Sequence, residues 1–233
     1  MRTILTYSLF STGLNVRKPA SLYMDSIVRN SEIRNSFMPE AEMVVHHDNS
    51  IPHDVLGKLE SNGVVLKHHP RSRGWGGTFW RIYEFQRADD DTIVILQDAD
   101  SPMDIENGIV RKSIDMLSGG SYVAAVHHGK VSTEKIIKDG KWIMACQCQV
   151  RMKLYVELET LGRRFLDVCN QYDADELFLA KYLWDVIKDG CFFTIERRVL
   201  PIFDALRSFK SSPGWFRDDG EYSRRMISNL TEK

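Results

Sequence analysis

The most constraining feature of this sequence is the regular alternation of short apolar runs with longer helix-like segments through its first hundred residues. Thr3–Leu9, Glu42–His46, Val64–Lys67 and Thr92–Leu96 read as strands: short, rich in β-branched residues, and bounded by turn formers. Pro19–Arg29, Pro52–Leu59 and Thr78–Phe85 lie between them with helical spacing, and Asn62-Gly63 supplies a stop for the second helix. A β-α-β-α-β-α-β order predicts an α/β fold, with a mostly parallel central sheet flanked by helices on both faces. The second half is less regular. It reads as helices at Asp104–Leu117, Lys153–Cys169 and Asp175–Ile187, with strands at Ser121–His127, Trp142–Val150 and Cys191–Val199.

Composition narrows the class. Apolar residues at 43% and charged residues at 27% exclude a disordered chain, and 31 Lys+Arg against 32 Asp+Glu give no basic excess for coating nucleic acid. No apolar run approaches the roughly 20 residues of a membrane helix. Met1–Tyr7 reads as a strand rather than a secretory leader, so a cytoplasmic setting is expected. The four cysteines are too sparse for a disulfide framework, and Cys146 and Cys148 read as buried thiols.

Open parallel sheets bind ligands beyond the carboxyl ends of their strands. The fourth strand ends in Gln97-Asp98-Ala99-Asp100-Ser101-Pro102. Ser101 and Pro102 fit a helix N-cap and first turn, which leaves Asp98 unexplained. Two carboxylates one residue apart offer hard oxygen ligands for Mg²⁺ or Mn²⁺, ions that commonly bridge to substrate phosphates. Upstream, the glycine-rich turn Arg73-Gly74-Trp75-Gly76-Gly77 leads into Phe79-Trp80-Arg81, where Arg81 is a candidate phosphate partner. Downstream, Asp173, Asp175 and Glu176 open a helix and are candidates for a general base. His127-His128 follow a strand toward the same crevice, while His46, His47, His68 and His69 read as packing or surface residues.

Together, Thr6-Tyr7-Ser8, the Trp80-Arg81 segment, Asp98-Ala99-Asp100-Ser101 and Glu106 resemble the nucleotide-sugar glycosyltransferases of the GT-A fold, especially small polysaccharide- and phage-type enzymes. The resemblance spans about Thr6 to Leu183. It implies a single GT-A-like, Rossmann-related domain over residues 1–210, with residues 1–100 the nucleotide-binding half, 101–210 the acceptor half, and 211–233 a tail or lid. It further implies that Asp98 and Asp100 hold Mn²⁺ or Mg²⁺ and the donor diphosphate, that Tyr7 and Ser8 lie beside the nucleoside, and that Arg81 lies near the diphosphate or sugar. Asp175 or Glu176 would sit on the acceptor side as base. Gln97 stands where related sequences often carry Arg, and no histidine follows His128, so Asp204, Asp218, Asp219 or water would complete the metal's ligands.

The expected activity is transfer of a sugar from a nucleoside-diphosphate sugar to a hydroxyl acceptor: a glycan, a lipid-linked sugar or modified DNA. There are two alternatives. One is a haloacid-dehalogenase-like phosphohydrolase with Asp98 as nucleophile. The other is a non-catalytic module that binds nucleotide sugar or glycan by stacking on Trp75, Trp80, Trp142 or Trp215.

Overall fold

A computed structural model describes residues 1–11, 19–70, 74–100, 103, 114, 123–128, 148–150, 157–170, 174–179 and 191–195. Its strands are β1 (Arg2–Leu9), β2 (Glu42–His47), β3 (Val65–His68), β4 (Thr92–Leu96), β5 (Val123–His128), β6 (Cys148–Val150) and β7 (Cys191–Ile195). The α-helices are α1 (Ala20–Phe37), α2 (His53–Ser61), α3 (Trp80–Tyr83), α4 (Leu158–Val168) and α5 (Ala174–Phe178). Among the described residues, no helix is long and apolar enough to cross a membrane.

The seven strands form one sheet in the order β3-β2-β1-β4-β6-β5-β7. β1 pairs in parallel with β2 and β4, β2 with β3, and β5 with β7. β6 is antiparallel to both β4 and β5, so β5 and β7 again run with β4. The expected mostly parallel α/β sheet is therefore present. Chain order runs outward from β1 to β3 and then returns across β1 to β4. The crevice between the carboxyl ends of β1 and β4 is thus the topological switch point, where such sheets take ligands.

Strand alternation divides β1 between two cores. Leu5, Tyr7 and Leu9 join Met43, Val45, Ile93 and Ile95 against Ile27 and Met38 of the α1 region and Val55 and Leu59 of α2. Thr6 and Ser8 take the opposite face, where α3 contacts β1. Phe79, Trp80, Ile82 and Phe85 are buried on that side. Phe79, Phe165 and Phe178 form an aromatic triangle with centroid separations of 6.0, 5.1 and 5.7 Å, which fixes α4 and α5 over α3. A Cβ at Gly162 would lie 2.8 Å from Tyr83 Oη, so the absence of a side chain there permits the close approach of α4.

Several boundaries differ from the sequence-based expectation for physical reasons. α1 runs on to Phe37 rather than ending at Arg29. Its second half buries Asn30, Ser31 and Arg34, polar residues that break an apolar period but find hydrogen-bond partners inside. Asn30 Oδ1 accepts the Met103 amide (2.8 Å), and Arg34 Nη2 donates to the Asn62 and Gly63 carbonyls (2.8 and 3.1 Å). Gly63 does terminate α2, with φ at +71°. The single helix expected over Thr78–Phe85 is instead one α-turn, Trp80–Tyr83, between 3₁₀ turns at Gly76–Phe79 and Glu84–Arg87. Of the helix expected over Lys153–Cys169, α4 is described from Leu158, and residues 153–156 lie outside the described residues. Of the strand expected over Trp142–Val150, Cys148–Val150 is described. Cys146, Trp142 and the 211–233 tail lie outside the described residues, as do Arg71, Arg73, Ser101 and Pro102.

Candidate active site

Arg81 is the centre of the site. Its backbone amide donates to Ser8 Oγ (3.1 Å), which docks α3 on the end of β1. Its guanidinium is buried and reaches in two directions. Nη1 donates to the Gln97 carbonyl (2.6 Å) and to Asp98 Oδ1, while Nη2 donates to Asp175 Oδ2 (2.9 Å). One side chain therefore joins the end of β4 to the first turn of α5, with Asp175 lying 94 residues beyond Arg81 in the chain. Burial alone would lower the Arg81 pKa, but the adjacent Asp98 and Asp175 outweigh it and hold the group firmly charged.

The two carboxylates differ in setting. The Asp98 side chain is 37% exposed and borders the crevice. Asp175 is buried, and its carboxyl is raised by that burial and by Asp98 although Arg81 pulls it down. Asp175 Oδ1 also accepts the Glu176 amide (3.1 Å). Glu176 is partly exposed, the more accessible acid of the pair. Asp100, two residues beyond Asp98, is likewise partly exposed.

The structure thus gathers Ser8, Arg81, Asp98 and Asp175 at the switch point, with Asp100 and Glu176 adjacent in sequence to members of that group. It does not bring Tyr7 there. Tyr7 is fully buried on the opposite face of β1, in the core beside Arg34, and burial pushes its hydroxyl pKa up. Arg81 was expected to reach a phosphate, but both its terminal nitrogens are bonded to protein groups, with only Nε lacking a hydrogen-bond partner. His127 and His128 end β5, which runs parallel to β4, so their backbone lies at the same edge of the sheet. Trp80 offers no exposed platform for a sugar, because its ring is packed between the His69 and Phe10 rings. Trp215, Asp204, Asp218 and Asp219 lie outside the described residues.

Two features escaped the sequence reading. Asp48, just after β2, is buried; its Oδ1 accepts both the amide (2.9 Å) and the hydroxyl of Ser50, and Oδ2 has no hydrogen-bond partner. Ser50 Oγ accepts the Ser11 amide (2.8 Å), tying the segments after β1 and β2 together. Applying the strand-end rule to β2 as well as to β4 would have found this carboxylate. The second feature is a line of polar contacts from half-buried His69 to buried His46 and on to buried Glu84; the paired histidines gave no periodic signal that set them apart from surface residues.

Among the described residues, no cluster of three or more His, Cys, Asp or Glu forms a closed metal cage. The donor set still suits Mg²⁺ or Mn²⁺ of the substrate-bridging kind. Such ions need only one or two carboxylates and take their remaining ligands from phosphate oxygens and water. Asp98, with one oxygen committed to Arg81, and Asp100 are the candidate pair.

No family model and no curated protein matches the sequence. Among solved structures, 4-diphosphocytidyl-2C-methyl-D-erythritol synthase from Anaerococcus prevotii aligns at a TM-score of 0.47 and 16% identity over 90% of this chain and 96% of that one. A cytidylyltransferase from Leptospira borgpetersenii aligns at 0.44 and 12% over 100% and 94%. Neither likeness is close enough to carry an inference. S. aureus TarS 1–349 aligns at a TM-score of 0.52 and 11% identity, covering 99% of this chain and 71% of that one. The chain therefore shares its α/β fold with TarS 1–349.

Proposed function

We propose that this chain is a glycosyltransferase that moves a sugar from a nucleoside-diphosphate sugar to a hydroxyl acceptor, assisted by Mg²⁺ or Mn²⁺. The observation that carries this reading is the Asp98–Arg81–Asp175 bridge. It sets an exposed carboxylate at the switch point and a pair of acids opposite it, the separation of roles that group transfer between two substrates requires. The resemblance of the Trp80-Arg81 and Asp98-Ala99-Asp100 segments to GT-A enzymes and the fold shared with TarS 1–349 support it.

Each residue's role follows from its environment. Asp98 and Asp100 would hold the cation, which, when bound, offsets the charge developing on the departing diphosphate. Arg81 orients Asp98 through Nη1 and Asp175 through Nη2. Ser8 fixes the backbone of Arg81 and lies at the end of β1, on the nucleotide side. Asp48, with a buried oxygen left unpartnered, is a further acceptor for donor hydroxyl or N–H groups. In an inverting reaction the acceptor oxygen bonds to the anomeric carbon as the carbon–diphosphate bond breaks, and the acceptor proton passes to a carboxylate. Glu176 is the better exposed candidate, with Asp175 behind it held by Arg81. The acceptor class follows the sequence expectation: a glycan, a lipid-linked sugar or hydroxymethylated DNA.

A thermal-shift screen of nucleoside diphosphates and their sugars, with and without Mn²⁺, tests this directly. One nucleotide family at a hundredfold excess over its Kd should stabilise the chain by about 2.7 kcal/mol, roughly 5–10 °C in Tm. No shift with any of them would remove the basis for the proposal.

A further inference from the structure

Arg81 can bridge two carboxylates only if its helix is held in place, and the residues doing so form a closed ring. Trp80 and Glu84 lie one turn apart on the helical run that carries Arg81. The His69 ring stacks flat on Trp80, with centroids 4.6 Å apart and planes within 8°. His69 Nε2 lies 2.8 Å from His46 Nδ1, and His46 Nε2 approaches Glu84 Oε1 to 3.2 Å, a close polar contact outside hydrogen-bond geometry. From Trp80 the contacts therefore pass through His69 and His46 to Glu84, and one turn of helix returns to Trp80. Lys67 and Arg87 donate to Glu84, and Arg87 continues to Glu42 at 2.8 Å.

The ring joins the site through β1. His46 is the cross-strand partner of Ser8, and Ser8 accepts the Arg81 amide. The helix is thus pinned at three successive points: residue 80 by His69, residue 81 by Ser8, and residue 84 by His46 and Lys67. Burial lowers the pKa of both histidines, which keeps them neutral and allows one to donate and the other to accept. If His46 Nε2–H faces Glu84, His46 Nδ1 is the acceptor and His69 Nε2–H the donor. Apolar residues would fill this space without the cost of desolvating polar groups. What the hydrogen-bonded pair adds is direction, since it admits one orientation of the helix.

We propose that His69, acting with His46, is a positioning residue that sets the helix bearing Arg81 and thereby fixes where Asp98 and Asp175 stand. This deepens the glycosyltransferase reading and rests on it for its consequence in donor binding. The placement of Arg81 can be tested independently. The variants are His69→Ala, which loses both the stack and the hydrogen bond, and His69→Phe, which keeps a stacking ring.

The first readout is solvent exchange of the Arg81 Nε–H group, followed by ¹⁵N NMR alongside a urea midpoint. His69→Ala should speed that exchange by about tenfold, and His69→Phe should recover most of the protection. The second readout is calorimetric affinity for UDP, CDP, GDP, ADP and dTDP, each with Mg²⁺. The nucleotide that binds wild type should bind His69→Ala more weakly and His69→Phe nearly as well. A His69→Ala protein that loses urea stability yet keeps wild-type Arg81 exchange would overturn the proposal, because His69 would then be structural only. If His69→Ala does not fold, wild-type exchange in His69→Gln, which loses the aromatic stack, overturns it in the same way. If no nucleoside diphosphate binds wild type, the functional reading fails while the Arg81 signal still decides the positioning.

Discussion

Replacing Arg81 with leucine is expected to cost about 3–5 kcal/mol of stability, because it leaves Asp98 and buried Asp175 without their shared counter-charge. The loss comes less from the bonds broken than from the Asp175 carboxylate stranded in the interior. Arg81→Lys should be milder but still damaging, since one ammonium cannot reproduce a planar fork that donates to Asp98 and Asp175 through different nitrogens. A double variant, Arg81→Leu with Asp175→Leu, should recover part of the loss by removing the stranded charge. Urea unfolding of the four proteins measures this. An Arg81→Leu midpoint close to wild type would mean that the bridge is not formed.

Acid should weaken the protein in a defined window. Burial would raise the Glu84 carboxyl, but His46, Lys67 and Arg87 overcome it and hold the pKa at about 2. A carboxylate depressed in the folded state contributes stability that is present above its ordinary pKa and is lost as pH falls toward the folded value. Glu84 therefore contributes about 3 kcal/mol at neutral pH, lost progressively from about pH 4.5 to about pH 2. His69 adds to this at higher pH. Burial and then His46 lower its pKa to about 4, so its neutral form favours folding above about pH 6.5, and that contribution disappears as pH falls through 4. Asp175, raised by burial, works in the opposite sense. The net expectation is a steady fall in urea stability from about pH 6.5 downward, with a flatter profile in Glu84→Gln. A wild-type profile that stays level from about pH 6.5 to pH 4 would contradict the neutral His69 held against His46, and one that stays level from pH 4.5 to pH 2 would contradict the Glu84 contacts.

The sheet's first four strands were legible because each is a short apolar run closed by turn residues; Thr92–Leu96 is buried at every position, as a central parallel strand should be. The insertion of antiparallel β6 between β4 and β5 was not legible, since it depends on pairing across distant segments. The second half of α1 was missed because Asn30 and Arg34 are buried by virtue of their hydrogen bonds, which apolar periodicity does not register. The site divides similarly. Asp98 could be read from the end of a strand, and alternation along β1 already put Tyr7 and Ser8 on opposite faces. That Arg81 would hold both Asp98 and Asp175 could not be read, because nothing in local sequence couples residues so far apart. His46 and His69 looked like ordinary paired histidines until the fold set them against Glu84 and Trp80.

The proposed function requires the end of β4 to bind a nucleoside diphosphate through a divalent cation. Isothermal titration calorimetry addresses it most directly, using the nucleotide with the largest thermal shift, with and without Mn²⁺, on wild type and Asp100→Ala. Mn²⁺-dependent binding to wild type that weakens by about tenfold or more in Asp100→Ala, roughly 1.4 kcal/mol, is the predicted result. Equal affinity in the two proteins, unaffected by Mn²⁺, would contradict it.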